Sequence, residues 1–160
     1  MYKDTVTVFN RYVDSFGDTI WYPHVISNVN LIVDKAVIAS KYGEVSKDND
    51  EEDYIITDGE IPIGWLGINS LESADKVAYL KLAAILPEYH NKGIGRYAIN
   101  QVMEMLRQRK YLKVALYTDQ ENYKARACYS KCGFEVTETF MEEMANGKTV
   151  ARCKMELDLT

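Results

Sequence analysis

Pro87-Glu88-Tyr89-His90-Asn91-Lys92-Gly93-Ile94-Gly95-Arg96 stands between a largely apolar run, residues 80–86, and an amphipathic stretch, residues 97–110. The pattern predicts a strand that stops at proline, turns through two glycines and becomes a helix. Such a junction makes an anion pocket, because glycine lets the backbone approach a phosphate and the first N–H groups of a helix lack intrahelical partners. The helix dipole adds partial positive charge at the same place. A nucleotide-like ligand carrying a pyrophosphate fits these needs.

On either side of the junction, residues 76–85 read as a strand buried on both faces and residues 112–118 as another. Between them, residues 93–110 place Ile94, Ala98, Val102, Met105 and Leu106 on one stripe, with Arg96, Asn100, Glu104 and Arg107 outside it. The unit is compatible with the start of a dinucleotide-binding fold. That fingerprint needs three spaced glycines, however, and Ala98 takes the third place here. A P-loop is excluded, because no Gly-Lys-Ser/Thr follows.

Elsewhere, Tyr54-Ile55-Ile56-Thr57 and residues 61–68 flank Asp58-Gly59-Glu60, the composition of a tight β-hairpin. A short helix is expected from Asn122, a suitable N-cap, to Cys132, with Gly133 as its left-handed terminator. Residues 134–141 and 150–159 close the chain as two strands joined through Asn146-Gly147. Near the start, Thr5-Val6-Thr7-Val8-Phe9 alternates as a strand does, and residues 19–26 are aromatic and β-branched around Pro23. Residues 30–42 suit a helix ending before Gly43, although Ile32-Val33 and Ala36-Val37-Ile38 equally suit short strands.

At 160 residues the chain is expected to fold as one domain. No apolar run approaches the roughly 20 residues that span a bilayer, and no signal peptide is legible, so a cytoplasmic location is expected. Three cysteines, Cys128, Cys132 and Cys153, suit reduced thiols better than a disulfide framework. Cys128 and Cys132 lie one helical turn apart as metal ligands can, but His24 and His90 are the only histidines, and no metal site is assigned. A formal charge of −5 argues against a nucleic-acid partner and favours a neutral or cationic one.

A second constellation narrows the choice. Asn122-Tyr123-Lys124-Ala125-Arg126-Ala127-Cys128-Tyr129-Ser130-Lys131-Cys132-Gly133-Phe134 resembles the Asn-x-x-Ala-x-x-x-Tyr-x-x-x-Gly-Phe signature of the GNAT superfamily of acetyl-CoA-dependent N-acetyltransferases. The Pro-Glu-Tyr turn and Lys92-Gly93-Ile94-Gly95-Arg96 resemble that family's acetyl-CoA motif, in the family's order and spacing. The resemblance runs over residues 54–159 and implies an α+β fold: a twisted, mostly antiparallel sheet of six to seven strands, splayed after the fourth strand, with helices on both faces. It also implies acetyl-CoA as co-substrate and an amine as acceptor.

By this resemblance, the end of the fourth strand, Leu82, Ala83, Ala84 and Ile85, offers backbone groups to the pantetheine arm, a chain of amides that behaves as an added strand. Backbone N–H groups of His90, Asn91, Lys92, Gly93, Ile94, Gly95 and Arg96 hold the pyrophosphate, with Lys92 and Arg96 available to neutralise it. Asn122 and Ala125 belong to the cofactor side, Asn122 by hydrogen-bonding the pantetheine; its bland alternative is helix capping. Tyr129 is the catalytic candidate, because attack on a thioester ends in a CoA thiolate that a nearby phenol can protonate. The family's motif usually starts with Gln or Arg where this chain has His90. No acid lies on the fourth strand; Asp119, Glu60 and Glu72 are the carboxylates left as bases, with water as the default.

The first fifty residues depart from the family, which normally begins with one strand and two helices. Asp4-Thr5-Val6-Thr7-Val8-Phe9-Asn10 and Trp21-Tyr22-Pro23 resemble, over residues 4–45, the opening of small minor capsid proteins of phages that infect Gram-positive bacteria. Two functions follow. One is acetyl transfer from acetyl-CoA to a primary amine, with Trp21, Tyr22 and Trp65 suited equally to an apolar or cation-binding wall and to the core. The other is an acyl-CoA-binding or phage-associated structural module without efficient turnover. A homodimer would cover apolar surface left by a reduced N-terminal lid.

Overall fold

The computed structural model of the chain describes residues 29–32 and 48–160. The expected hairpin is present as β2 (Glu52–Asp58) and β3 (Ile61–Asn69), joined through Gly59-Glu60. Gly59 takes φ 59°, the positive value that the first position of a two-residue hairpin loop requires. β1 (Val29–Ile32) pairs antiparallel with β2, from Val29 opposite Asp58 to Ile32 opposite Ile55. Of the two readings of residues 30–42, the helix therefore fails for residues 30–32, and the strand alternative holds at Ile32. Val29 and Ile32 are β-branched, and the open edge of β2 offers a full row of backbone partners that local apolar spacing cannot reveal. The remainder of that helix, and the strands expected at residues 5–9 and 19–26, lie outside the described residues.

β4 (Val77–Ile85) runs antiparallel to β3 and leads through one 3-10 turn (Pro87–Tyr89) into α1 (Ile94–Gln108). α1 buries Ile94, Ala98, Ile99, Val102, Met103 and Leu106, the apolar stripe of the sequence with Met103 more deeply placed than Met105. It returns the chain to β5 (Lys113–Asp119), parallel to β4. α2 (Tyr123–Lys131) follows and ends at Gly133, whose φ of 102° is the left-handed stop expected. β6 (Glu135–Glu143) and β7 (Thr149–Asp158) form the closing hairpin, turning at Gly147 with φ 81°. Among the described residues the sheet has seven strands in the order β1-β2-β3-β4-β5-β7-β6, with the β4–β5 pair parallel and the others antiparallel. This is the mostly antiparallel α+β architecture the sequence pointed to.

Two irregularities in β4 set up the site. Gly67 pairs with Leu82 but Ile68 pairs with Leu80, so Lys81 is the extra residue of a β-bulge. β4 and β5 then share only the pairs Val77–Lys113, Ala78–Val114 and Tyr79–Ala115, although both strands continue for several residues. The sheet splits beyond Tyr79. Alternation assigns its two faces: Ala78, Leu80, Val114, Leu116, Cys153 and Met155 join the helices in one hydrophobic cluster, whereas Tyr79, Tyr117, Arg152 and Lys154 project from the opposite face.

Candidate active site

Where β4 and β5 part, the gap is a cavity of about 310 Å³. β4 contributes Leu80, Lys81, Leu82 and Ala83 to its lining, and β5 contributes Leu116, Tyr117, Thr118 and Asp119. Asn122 and Tyr129 close it from α2, and Arg152 from β7. A strand pulled away from its neighbour presents unpaired backbone N–H and C=O groups, so an amide-bearing ligand can add to β4 as a strand would. Of the β4 residues singled out from sequence, Leu82 and Ala83 line the gap. Ala84 and Ile85 have buried side chains and can offer only backbone.

Tyr129 reaches the cavity with its ring 5% exposed and packed 6.1 Å from the Phe134 ring. Its placement depends on how α2 begins and ends. At the start, Asn122 Oδ1 accepts from the Ala125 N–H at 3.4 Å and Asn122 Nδ2 donates to Thr118 Oγ1 at 3.2 Å, tying the helix to the end of β5. Ala125 is fully buried beneath this cap, which leaves its methyl to packing. At the end, the Gly133 turn brings the Phe134 N–H back to the Tyr129 carbonyl at 3.0 Å. The sequence motif is thus a mechanical unit that aims one phenol at the split.

The turn after β4 is braced from inside. The His90 N–H donates to the Pro87 carbonyl at 3.1 Å, and His90 Nε2 lies 2.7 Å from the Ile85 carbonyl, to which it donates because a carbonyl only accepts. Both donors are committed within the protein, so His90 ties the loop to β4 and is not positioned as a free phosphate donor. Beyond it the backbone opens. Asn91 and Gly93 take φ of 60° and 75°, and Gly93 caps α1 with no side-chain hydrogen bond. The first intrahelical bond is Tyr97 N–H to Gly93 O at 3.0 Å, so the N–H groups of Ile94, Gly95 and Arg96 precede the ladder. Lys92 lies beside them with its ammonium 5.6 Å from the Tyr89 ring centre.

Residues 29–134, two thirds of the chain, match the model of the acetyltransferase (GNAT) family. The chain belongs to that family. Among solved structures, the spermidine N-acetyltransferase of Vibrio cholerae in complex with CoA and spermine is similar with a TM-score of 0.67 and 20% identity, over 83% of this chain and 96% of that one. A chimera of the Vibrio cholerae enzyme gives a TM-score of 0.69 at 20% identity, over 82% and 96% of the two chains. A point mutant of that enzyme gives 0.64 at 26% identity, over 71% and 68%. A search of curated proteins finds no significant match.

In this acetyltransferase the cleft is crossed by paired charges. Arg152 Nη1 donates to Asp119 Oδ1 at 2.6 Å, and its Nε lies 3.0 Å from Glu142 Oε2 without hydrogen-bond alignment. Opposite, Lys81 reaches Glu51 at 3.2 Å and Asp53 at 3.5 Å. Asp53 in turn accepts from Trp65 Nε1 at 3.3 Å, and Trp65 is only 5% exposed. Trp65 is thus a core residue and not part of a cation-binding wall; Trp21 and Tyr22 lie outside the described residues. Asp119 is the one carboxylate among the described lining residues. Glu72 is exposed, as is Glu60 at the hairpin tip, and neither lines the gap.

Sequence reasoning missed Lys81, Tyr117 and Arg152. A bulge is invisible without its partner strand, and Arg152 is one of several charges on an ordinary alternating strand. On α2, the hydrogen bond from the Cys128 thiol, with the Arg96 charge, holds the Cys132 thiol below the usual thiol range, whereas donating that bond and burial push Cys128 up. Cys132 Sγ lies 4.0 Å from the Arg96 carbonyl, at the start of α1. Among the described residues, no group of three or more His, Cys, Asp or Glu is placed to hold a metal, and no helix is long and apolar enough to cross a membrane.

Proposed function

We propose that this protein transfers the acetyl group of acetyl-CoA to a primary amine by direct attack on the thioester within the β4–β5 split. The observation that carries this reading is Tyr129 aimed into a cavity that opens where one strand edge has lost its partner. The pantetheine arm adds along Leu82, Ala83, Ala84 and Ile85, its amides replacing the missing strand. The pyrophosphate rests on the backbone N–H groups from Asn91 to Arg96, where two left-handed residues and the helix dipole converge. Lys92 and Arg96 offset its charge. Asn122 keeps one Nδ2 hydrogen for the arm after capping α2. The 54–159 core holds these groups, within a single acetyltransferase domain.

In the reaction, a neutral amine attacks the carbonyl carbon, and collapse of the tetrahedral oxyanion expels the CoA thiolate. The Tyr129 phenol donates its proton to that sulfur, and the proton that the nitrogen sheds as the amide forms returns through water to the tyrosinate. The acceptor must first lose a proton. Asp119 is held by Arg152, so water carries that proton out of the cleft.

The same Arg152–Asp119 contact is what favours a second reading, an acyl-CoA-binding module without efficient turnover. Release of CoA thiol from acetyl-CoA with a panel of primary amines separates the two. Turnover is the expected result; cofactor binding with no thiol release for any amine would leave the module.

A further inference from the structure

Beyond the cleft lies a second cavity of about 390 Å³, lined by Tyr117, Glu138, Phe140, Glu142 and Arg152. Tyr117 and Arg152 also line the cleft, so the two spaces meet at these residues. The outer cavity stands on the sheet face away from α1 and α2. Register explains its content: Phe140 pairs with Arg152 and Glu138 with Lys154 across β6–β7, while Tyr117 and Asp119 pair with Lys154 and Arg152 across β5–β7.

Three observations define what such a space holds. Tyr117 and Phe140 meet edge to face, centroids 5.9 Å apart at 80°, leaving aromatic surface turned toward the cavity. The wall already accepts a cation, since the Lys154 ammonium lies 5.9 Å from the Tyr79 centroid and 5.8 Å from that of Tyr117. The charges are unequal. Arg152 is shared between Asp119 and Glu142, whereas Glu138 makes no ion pair among the described residues. Around the cavity three carboxylates, Glu138, Glu142 and Asp119, therefore stand against two cations, Arg152 and Lys154.

We infer that this outer cavity binds a second, distal cation of the acceptor, so that the preferred substrate is a diamine with one amine at the thioester and its far ammonium against Tyr117, Phe140 and Glu138. This rests on the acetyl-transfer reading above and names the acceptor class for the same site. A distal carboxylate would be repelled by Glu138 and Glu142, and a neutral alkyl end would leave Glu138 unused.

The test compares n-butylamine, 1,4-diaminobutane and 4-aminobutanoate, which share a primary amine on a four-carbon chain and differ in the charge of the far end. Thiol release from acetyl-CoA should give a kcat/KM for the diamine about tenfold above butylamine and lowest for the amino acid, the scale of one cation–aromatic contact plus one charge pair. In Glu138→Gln and Phe140→Leu the diamine-to-monoamine ratio should fall toward one; both positions lie on the edge strand β6 and away from the core cluster. Equal rates for all three acceptors would overturn the inference and leave acetyl transfer intact. If no amine releases thiol, calorimetric titration of 1,4-diaminobutane against wild type and Glu138→Gln decides the cavity separately: binding that weakens about tenfold in the variant supports it, and no binding to wild type overturns it.

Discussion

Tyr79 on β4 and Ala115 on β5 are the last partners before the two strands part. Every cleft-lining residue lies beyond that pair in the chain. The cause is local to β4: the Lys81 bulge shifts its register against β3, and a bulged strand bends and twists more strongly than a regular one. The divergence opens a polar backbone edge in the middle of a sheet, where the hydrophobic cluster on the helix side keeps the fold closed. Strand geometry thus creates the cleft, and α2 supplies Asn122 and Tyr129 to its lining.

If Tyr129 is the proton donor to sulfur, Tyr129→Phe keeps the ring against Phe134 and removes only the hydroxyl. The expected outcome is a fall in kcat of about a hundredfold, within the range of a positioned general acid, with the KM for acetyl-CoA nearly unchanged. Steady-state thiol release measures both. A rise in KM with kcat preserved would assign Tyr129 to binding instead.

Gly93 and Gly59 both hold positive φ, 75° and 59°, but only Gly93 stands at the loop assigned to the pyrophosphate. Alanine at either position should cost about 1 kcal/mol of stability through the left-handed backbone. Only Gly93→Ala should also raise the KM for acetyl-CoA. Thermal melts and cofactor titrations of the pair separate strain from function, since Gly59 has nothing within 4 Å of an added Cβ.

Two strand glycines make a sharper contrast. A Cβ at Gly64 would meet the Ala84 carbonyl at 2.8 Å and Ile85 Cδ1 at 2.7 Å, whereas one at Gly67 would meet Lys81 Cε at 2.7 Å and Asp53 Oδ1 at 2.9 Å. The first clash involves backbone of β4 and cannot relax without parting the strands. The second can relax by swinging the Lys81 chain. Gly64→Ala should destabilise by about 2–3 kcal/mol, the range of core overpacking, and Gly67→Ala by clearly less, as read by chemical denaturation.

The parts legible in the sequence were those with local causes. Asn122 and Gly133 marked both ends of α2, the apolar stripe marked α1 to within two residues at its end, and Gly59 and Gly147 marked hairpin turns. What sequence left open depends on distant partners. β7 inserts between β5 and β6, and that order brings Arg152 beside Asp119 across 33 residues of chain. His90 read as a backbone phosphate donor because nothing local shows that its N–H turns back to Pro87 while its ring reaches Ile85. β1 stayed open between helix and strand because its strand character comes from the β2 edge, not from its own four residues.

Cys132 gives a pH-dependent reporter beside the loop proposed for the pyrophosphate. The hydrogen bond from Cys128, then the Arg96 charge, lowers its thiol, whereas Cys128 is raised by donating that bond and by burial, and Cys153 is raised by burial. A thiolate is the nucleophile, so labelling tracks the deprotonated fraction. A lowered value means that Cys132 keeps its thiolate to lower pH than an ordinary thiol and loses reactivity as pH falls through that value. Cys128 and Cys153 should label only on unfolding. Mass spectrometry of iodoacetamide adducts against pH checks the order of reaction. Cys128→Ala removes the hydrogen bond and should slow Cys132 labelling at neutral pH. Because Cys132 Sγ sits 4.0 Å from the Arg96 carbonyl, saturating CoA should also slow it if the pyrophosphate occupies the start of α1. Labelling of Cys132 that ignores CoA would place the pyrophosphate elsewhere.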